Sequence, residues 1–364
     1  MKIAIDAINI KSDGGIAYLN EFLYNLDKNN IDKIYVLISK KTKINKNDKI
    51  IKIIRNNFFE KNFLLTNLWK LFFLDKFLIK LQCQKLIVMS GHYLGNFNPT
   101  FLVIQNALPF SYEGKKYFPL AIRFKFFLQR LSHLISIWKK NNIIFVSHSI
   151  KKKVLKNFYS KKKYVVSYHA ANNKIIKKNR IKNNKNKILR LIYVSQYSYH
   201  KNHVNLLEAI KKINKDKIKI TLDCYGQDLD NHLINIKKLI KISNIKGIKI
   251  NNSIKQKNLF KIYKRYDCHI FPSHCESYGL PLIESAKAGL LIMCSNLEIF
   301  RELLKDSPVY FNQNSKNDIE RALLKVINMN NILFDEKIKK SLFYSSKYKW
   351  KFELKKVKKF ILSI

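Results

Sequence analysis

Acidic residues are scarce in this chain: 25 Asp and Glu stand against 70 Lys and Arg over 364 residues, for a formal charge of +45. An excess of this size first suggests a nucleic acid or an anionic membrane surface as partner. Lys, Asn and Ile are in excess together, as an AT-rich coding bias would produce, so part of the charge is expected to be solvated surface. The Lys runs at 151–153 and 161–163 come with no recognition motif. Charge without a reading element supports only non-specific, salt-sensitive binding, so no specific nucleic acid is expected as partner.

Cysteine is scarce as well. Cys83, Cys224, Cys268, Cys275 and Cys294 show no C-x-x-C spacing and are odd in number. That argues against a disulfide framework or a zinc site, and a reducing compartment is expected. No stretch reaches the roughly 18 uncharged apolar residues that a spanning helix needs. The opening M-K-I-A-I-D-A-I-N-I has an acid inside its apolar run and no cleavage site. It is expected to be a first strand rather than a signal peptide.

The nine histidines contain no H-E-x-x-H pattern. His200 and His203 flank Lys201, and His274 sits beside Cys275 and Glu276. No orienting acid is placed by the sequence, so a structural role is expected for them. Asp228-Leu229-Asp230 has the form of a metal-nucleotide motif, but it leads into a helix, where Asp residues serve as caps. The capping reading is favoured, and no metal site is expected.

What is present is enough apolar material, 47% of residues with 13% aromatic, to bury two cores of ordinary size. Apolar runs at 3–5, 34–38, 50–54, 86–89, 101–104 and 143–146 read as buried strands separated by helical periodicity. Gly14-Gly15 lie in a loop between the first strand and the first helix, an ordinary turn or a place where a ligand approaches the backbone. Gln105 and Asn106 follow the strand at 101–104, as a polar cap or as ligand contacts at a carboxyl-end edge. Residues 64–81 read as an amphipathic helix. In the basic aromatic helix at 117–138, Phe127, Leu131, Leu134 and Trp138 share one face, with Arg123, Lys125 and Arg130 elsewhere. It could lie in a membrane interface, but packing of that face into the core is the favoured reading.

Residues 173–187 are polar and aperiodic, the signature of a linker. Beyond them the strand and helix alternation restarts, with strands at 188–194, 218–225, 247–250, 268–271, 290–294 and 308–311. The expected organisation is an N-terminal domain over 1–172, a C-terminal domain over 188–348, and a final helix at 349–364 that packs back on the first domain. Both domains are α/β and doubly wound, facing each other across a cleft.

The most informative stretch is 271–295, F-P-S-H-C-E-S-Y-G-L-P-L-I-E-S-A-K-A-G-L-L-I-M-C-S. Proline is favoured at a first helical position, so a helix should start near Pro281 and end at Gly289. Glu276 then lies in the loop and Glu284 about one turn inside the helix. The amides of Gly279 and Leu280 would point out of a positive helix end that suits phosphate. The two carboxylates would accept hydrogen bonds from hydroxyls, so the ligand expected here carries both phosphate and sugar.

The run Glu276-Ser277-Tyr278-Gly279-Leu280-Pro281-Leu282-Ile283-Glu284 with Ala288-Gly289 resembles the E-x7-E element of the family 4 glycosyltransferases, retaining sugar-nucleotide enzymes with the GT-B fold. Ile192-Tyr193-Val194-Ser195 leading to Lys201-Asn202, Ile144-Phe145-Val146-Ser147, and Tyr348-Lys349-Trp350 extend the likeness over nearly the whole chain. The resemblance implies a retaining hexosyltransferase that takes a sugar from a nucleotide diphosphate without a metal or other cofactor. It further implies a lipid-linked or surface-polysaccharide acceptor of the lipopolysaccharide kind, and a cytoplasmic protein held peripherally at the inner face of a membrane.

Carried over residue by residue, Lys201 faces the diphosphate and Glu276 the donor sugar, the two catalytic positions. Gly15, Ser195, Tyr278, Gly279, Leu280 and Glu284 complete the donor site, and Glu284 meets the ribose. Gly14, Gln105 and Asn106 stand on the acceptor side. Two departures stand out: Ser195-Gln196 occupies the place of the family's Gly-Arg, and Gln105 that of a frequent His. Lys11 or His200 could supply the missing charge. Two competing readings are a basic nucleic-acid-binding protein and a sugar-nucleotide epimerase on the same fold.

Overall fold

The computed structural model describes every residue except 11–12, 27–29, 45–47, 61–62, 157, 159–161, 172–187 and 229. It divides into two units, Met1–Phe110 with Leu120–His169 and Lys349–Ile364, and Ser111–Pro119 with Ala170–Tyr348. The linker expected at 173–187 lies outside the described residues, as does Lys11.

Among the described residues of the first unit, seven strands form one parallel sheet. They are β1 (Lys2–Asp6), β2 (Lys33–Leu37), β3 (Ile51–Ile54), β4 (Lys85–Val88), β5 (Thr100–Ile104), β6 (Asn142–Phe145) and β7 (Lys163–Val166). Their order is β3-β2-β1-β4-β5-β6-β7. The second unit holds β8 (Leu189–Val194), β9 (Ile220–Gly226), β10 (Ile248–Asn252), β11 (Cys268–Phe271), β12 (Leu291–Ser295) and β13 (Val309–Phe311). These six pair in parallel in the order β10-β9-β8-β11-β12-β13. Strands buried on both faces carry near-continuous apolar runs, which is why β5, β11 and β12 are buried along their whole length. Each strand order reverses once, between β1 and β4 and between β8 and β11. Ligands of open α/β sheets bind beyond the carboxyl ends of the strands at such a reversal.

The observed strands begin and end within one or two residues of the expected runs. Three helical segments depart from expectation. Gly14 and Gly15 lie in the first turn of the helix Asp13–Asn25 rather than in a loop before it. The helix expected at 64–81 consists of Phe63–Trp69, a wide π turn at Lys70–Leu74, and Asp75–Lys80. The wide turn begins at Lys70, whose Nζ lies 2.5 Å from Asp6 Oδ2 at the end of β1, with both side chains buried.

The third departure reverses a packing expectation. In the helix Leu120–Lys139 the face expected to pack inward is exposed, with Phe127 at 50%, Leu131 at 40% and Trp138 at 72%. The helix buries Phe126, His133, Ser136 and Ile137 instead. This face suits the sheet because its polar groups are satisfied: Ser136 Oγ accepts from Tyr93 N at 2.8 Å and His133 Nδ1 bonds to Gln129 O at 2.7 Å.

The last helix, Trp350–Leu362, belongs to the first unit. Glu353 accepts from Tyr168 N at 2.9 Å, Ser167 Oγ donates to Glu353 O, and Lys85 Nζ donates to Ile361 O. Trp350 packs with His169 and Tyr18.

Within the second unit, Lys287 closes the helix Leu280–Lys287 and is buried. Its Nζ donates to Ala171 O at 2.7 Å and to Tyr348 O at 3.1 Å, tying together the two ends of the segment Ala170–Tyr348. Lys287→Met keeps most of the volume but takes this donor from one buried and one part-buried carbonyl. We expect a loss of about 2–4 kcal/mol, read from the denaturant midpoint; a loss below roughly 1 kcal/mol would mean the ammonium does not hold those ends.

Candidate active site

The site of the second unit is built by two loops that leave adjacent strands at the reversal of strand order. After β8 come residues 195–198, a short turn at Tyr199–Lys201, and the helix His203–Ile213. After β11 come residues 272–279 and the helix Leu280–Lys287. β8 and β11 are paired neighbours, so their loops must emerge side by side.

Three contacts join the loops. His274 N donates to His200 O at 2.8 Å. Asn202 Nδ2 donates to Pro272 O at 3.0 Å and also to Gln313 O at 2.8 Å. Lys201 Nζ lies 2.5 Å from Glu276 Oε1, with each side chain only 11% exposed. Asn202 makes this geometry possible through its backbone too. It sits at φ 58, ψ 39 between the turn and the helix, a left-handed conformation that Asn tolerates better than most residues.

Lys201 is fixed from both ends. Its carbonyl accepts from the hydroxyl of fully buried Tyr193 at 2.7 Å, and its ammonium lies 5.4 Å from the centroid of the Phe271 ring. Beneath the loops His269 joins β8 to the helix Leu280–Lys287. Its Nε2 accepts from Val194 N at 3.4 Å and its Nδ1 bonds to Ser285 Oγ at 2.6 Å.

Gly279 starts that helix with φ 100, and an added Cβ would lie 2.8 Å from Phe300 Cε1. Both facts require glycine here. The first amides of the turn, at Gly279 and Leu280, stand at the open end of the helix, where the macrodipole favours an anion. Glu284 lies inside the helix and is buried, near Tyr263, whose hydroxyl is pushed up first by burial and then by the Glu284 charge. Tyr278 is buried beside Tyr348. Ser195 directly follows β8, and Gly226 at the end of β9 approaches so closely that a Cβ would fall 1.8 Å from Ser195 O.

The structure therefore brings Lys201 and Glu276 into contact and sets Tyr278, Gly279, Leu280 and Glu284 on the same loop and helix. Gly14, Gly15, Gln105 and Asn106 lie in the first unit. Gly14 is exposed at the helix start and Gly15 is buried. Gln105 Nε2 donates to Met89 O at 3.1 Å, and Asn106 Oδ1 accepts from Leu108 N at 3.0 Å. Asp228 accepts from His232 N and Leu233 N at the start of the helix Leu233–Ile242, and Asp230 accepts from Ser198 Oγ, so the D-x-D acids cap and brace loops. His200 is buried with Nδ1 on Ser198 Oγ. Burial foremost, then the charge of Lys201, pulls it well below the usual histidine range, so it supplies no cation beside Gln196.

Sequence reasoning missed the pinning role of Asn202 and the packing of Tyr117. The Tyr117 ring stacks on His274 at 3.9 Å between centroids, and its hydroxyl bonds to Asn314 Oδ1 at 3.2 Å. The Lys201-Asn202 pair held the first signal, since Asn visits the left-handed region more readily than most residues. Nothing local marks the second.

Residues 172–341, the part of the chain that carries β8 to β13, match the family model described as Glycosyl transferases group 1. That region is a glycosyltransferase group 1 domain, and the chain is a glycosyltransferase. The O-antigen chain mannosyltransferase RfbU of Salmonella typhimurium is 20% identical over 254 residues, covering 68% of this chain and 67% of its own. A glycosyltransferase of Methanocaldococcus jannaschii described as uncharacterized is 24% identical over 376 residues, covering 95% and 94%. Among solved structures, Anabaena HepE in complex with UDP and glucose superposes with a TM-score of 0.72 over 100% of both chains at 12% identity. The two doubly wound sheets are those of the GT-B fold.

Two predictions follow from the packing of these loops. Gly279→Ala is expected to cost about 1–3 kcal/mol and to lower activity at least tenfold, measured by thermal unfolding and turnover together; unchanged values would show that the loop is loose. His203 and His269 are each pulled down to about 3 by burial, and neither ring nitrogen of His203 meets a partner among the described residues. Their folded pKa values lie below that of the unfolded chain, so the unfolded state binds more protons as pH falls from about 6.5. Stability present above that pH should fall by roughly 2–3 kcal/mol per histidine by about pH 4.5, and a flat profile from pH 7 to 4.5 would contradict their burial as neutral rings.

Proposed function

We propose that the chain is a retaining hexosyltransferase, of the family 4 kind, that moves a sugar from a nucleotide diphosphate to a lipid-linked or surface-polysaccharide acceptor. The observation that carries this reading is the Lys201–Glu276 pair held at the strand reversal of a glycosyltransferase group 1 domain.

In that reading the Lys201 ammonium meets the donor diphosphate and stabilises it as a leaving group while the glycosidic bond breaks. The Gly279 and Leu280 amides hold the same phosphates or the sugar. Glu276 accepts from sugar hydroxyls and places negative charge near an oxocarbenium-like transition state. Glu284 takes the ribose hydroxyls. Tyr278, Ser195 and Gly15 are assigned to the donor, and Gly14, Gln105 and Asn106 to the acceptor. The relevant chemistry needs no metal, because the lysine and the helix end supply the positive field. An O-antigen chain mannosyltransferase among the relatives supports a polysaccharide acceptor and mannose as one candidate sugar, and the UDP in Anabaena HepE supports a nucleotide diphosphate. The protein would work in the cytoplasm, peripherally at the inner face of the membrane where such acceptors are presented.

Glu276→Ala and Lys201→Ala are each expected to reduce transfer at least a thousandfold, on the order of the loss of one transition-state contact plus its partner, while the far-ultraviolet spectrum stays native. Full activity in either variant would sink the assignment. A thermal-shift series with UDP-, GDP-, dTDP- and ADP-sugars identifies the donor, since a ligand that binds only the folded state raises the midpoint. Product analysis with acceptor omitted separates transfer from epimerisation.

A further inference from the structure

The first unit carries an apolar surface that neither its sheet nor the proposed chemistry uses. On the helix Leu120–Lys139, the side chains of Leu120, Phe124, Phe127, Leu131, Ile135 and Trp138 are exposed. At about 100° per residue they fall within an arc of roughly 80°, opposite the buried Phe126, His133, Ser136 and Ile137. By the same spacing Arg123 and Arg130 border one edge of the stripe, and Lys125 and Lys139 the other. Residues 120–139 contain no Asp or Glu.

A second helical stretch adds to this face. Between β3 and β4, Leu68, Phe72, Phe73 and Ile79 are exposed, with Lys76 and Lys80 exposed among them. The crossovers from β3 to β4 and from β5 to β6 run the same way along the sheet, so right-handed connections set both helical stretches on one face. Both also hold the loop at 93–96. Tyr93 N donates to Ser136 Oγ, Lys139 Nζ donates to Leu94 O at 3.0 Å, and Asn96 N donates to Asp75 Oδ2 at 2.7 Å. Asp75 is the one acid of residues 63–80, and it is engaged there.

We propose that this face docks on an anionic lipid bilayer, with the stripe at the boundary of headgroups and acyl chains and the bordering cations on lipid phosphates. The charge pattern selects the occupant. In a two-fold pair of copies each helix would meet the same cation-edged, acid-free surface, so the edges would repel. A bilayer covers apolar area and neutralises both edges at once. This deepens the proposed function by naming what presents the acceptor, yet docking itself can be read without donor or transfer.

The full chain would be sedimented with vesicles of phosphatidylcholine, alone or with phosphatidylglycerol, at low and high salt. Binding to the anionic vesicles is expected to be at least about tenfold tighter and to weaken with salt. Trp138 emission should shift to the blue, a change that Trp138→Phe removes. Phe124→Ser/Phe127→Ser/Leu131→Ser should weaken vesicle binding about tenfold or more while the thermal shift from a nucleotide diphosphate is kept. Arg123→Glu/Lys125→Glu, confined to exposed side chains, should do the same. No binding at low salt, binding by both variants as tight as that of the unaltered chain, or a lipid-free dimer lost in the serine variant would each overturn the proposal. Because donor binding is read separately, failure of docking and failure of the transferase reading give different results.

Discussion

Lys201 and Glu276 lie 75 residues apart in the chain and 2.5 Å apart in the fold, each almost wholly withdrawn from water. A charge so placed is tolerated only with its partner in position, and removing one partner strands the other at a cost of about 3–5 kcal/mol. The loops that carry them therefore need a fixed register. The His274–His200 and Asn202–Pro272 hydrogen bonds, the left-handed turn at Asn202 and the Tyr193 hydroxyl on the Lys201 carbonyl supply it. Such a pair contributes little net stability compared with an apolar replacement; what it provides is orientation. On the proposed reading, orientation is the requirement, since a cation and a carboxylate must meet different ends of one donor.

The same requirement explains which parts of the site were legible in the sequence. Gly279, Pro281 and the seven-residue spacing of Glu276 and Glu284 are local features. A glycine with positive φ and a proline at a helix start leave marks within a few residues, and the helix Leu280–Lys287 starts one residue before that proline. Strand positions were legible for a related reason, because strands buried on both faces must be continuously apolar. The pins were not legible. Asn202 onto Pro272 and Gln313, Tyr117 onto His274, and Lys70 onto Asp6 are made between segments 64 to 157 residues apart, and neither partner looks unusual in its own neighbourhood.

The helix Leu120–Lys139 shows a different limit. Periodicity identified its apolar face, but periodicity says only that two faces differ, not which one turns inward. The inward face holds His133 and Ser136, residues that composition assigns to the outside. They are buried because Gln129 O and Tyr93 N complete their hydrogen bonds. With the inward positions filled this way, the larger apolar set at Leu120, Phe124, Phe127, Leu131, Ile135 and Trp138 has no place in the core.

The scarcity of acid gives the remaining logic of the molecule. Several carboxylates are each committed to a specific partner. Asp6 meets Lys70, Asp267 holds the Arg190 guanidinium through two bonds, Asp223 accepts from the Tyr266 hydroxyl, and Glu353 anchors Tyr168 N. With only 25 acids in the chain, most of the 70 basic side chains have no acid to neutralise them, and the surface field is positive. A sugar-nucleotide diphosphate, a lipid phosphate and a nucleic acid all feel that field, and all would be drawn to the protein in a salt-dependent way. Salt dependence therefore cannot identify a partner for this chain. Charge governs encounter, whereas retention depends on geometry that long-range charge lacks: one buried lysine set against one carboxylate beside a helix start, or an apolar stripe wide enough to enter a bilayer.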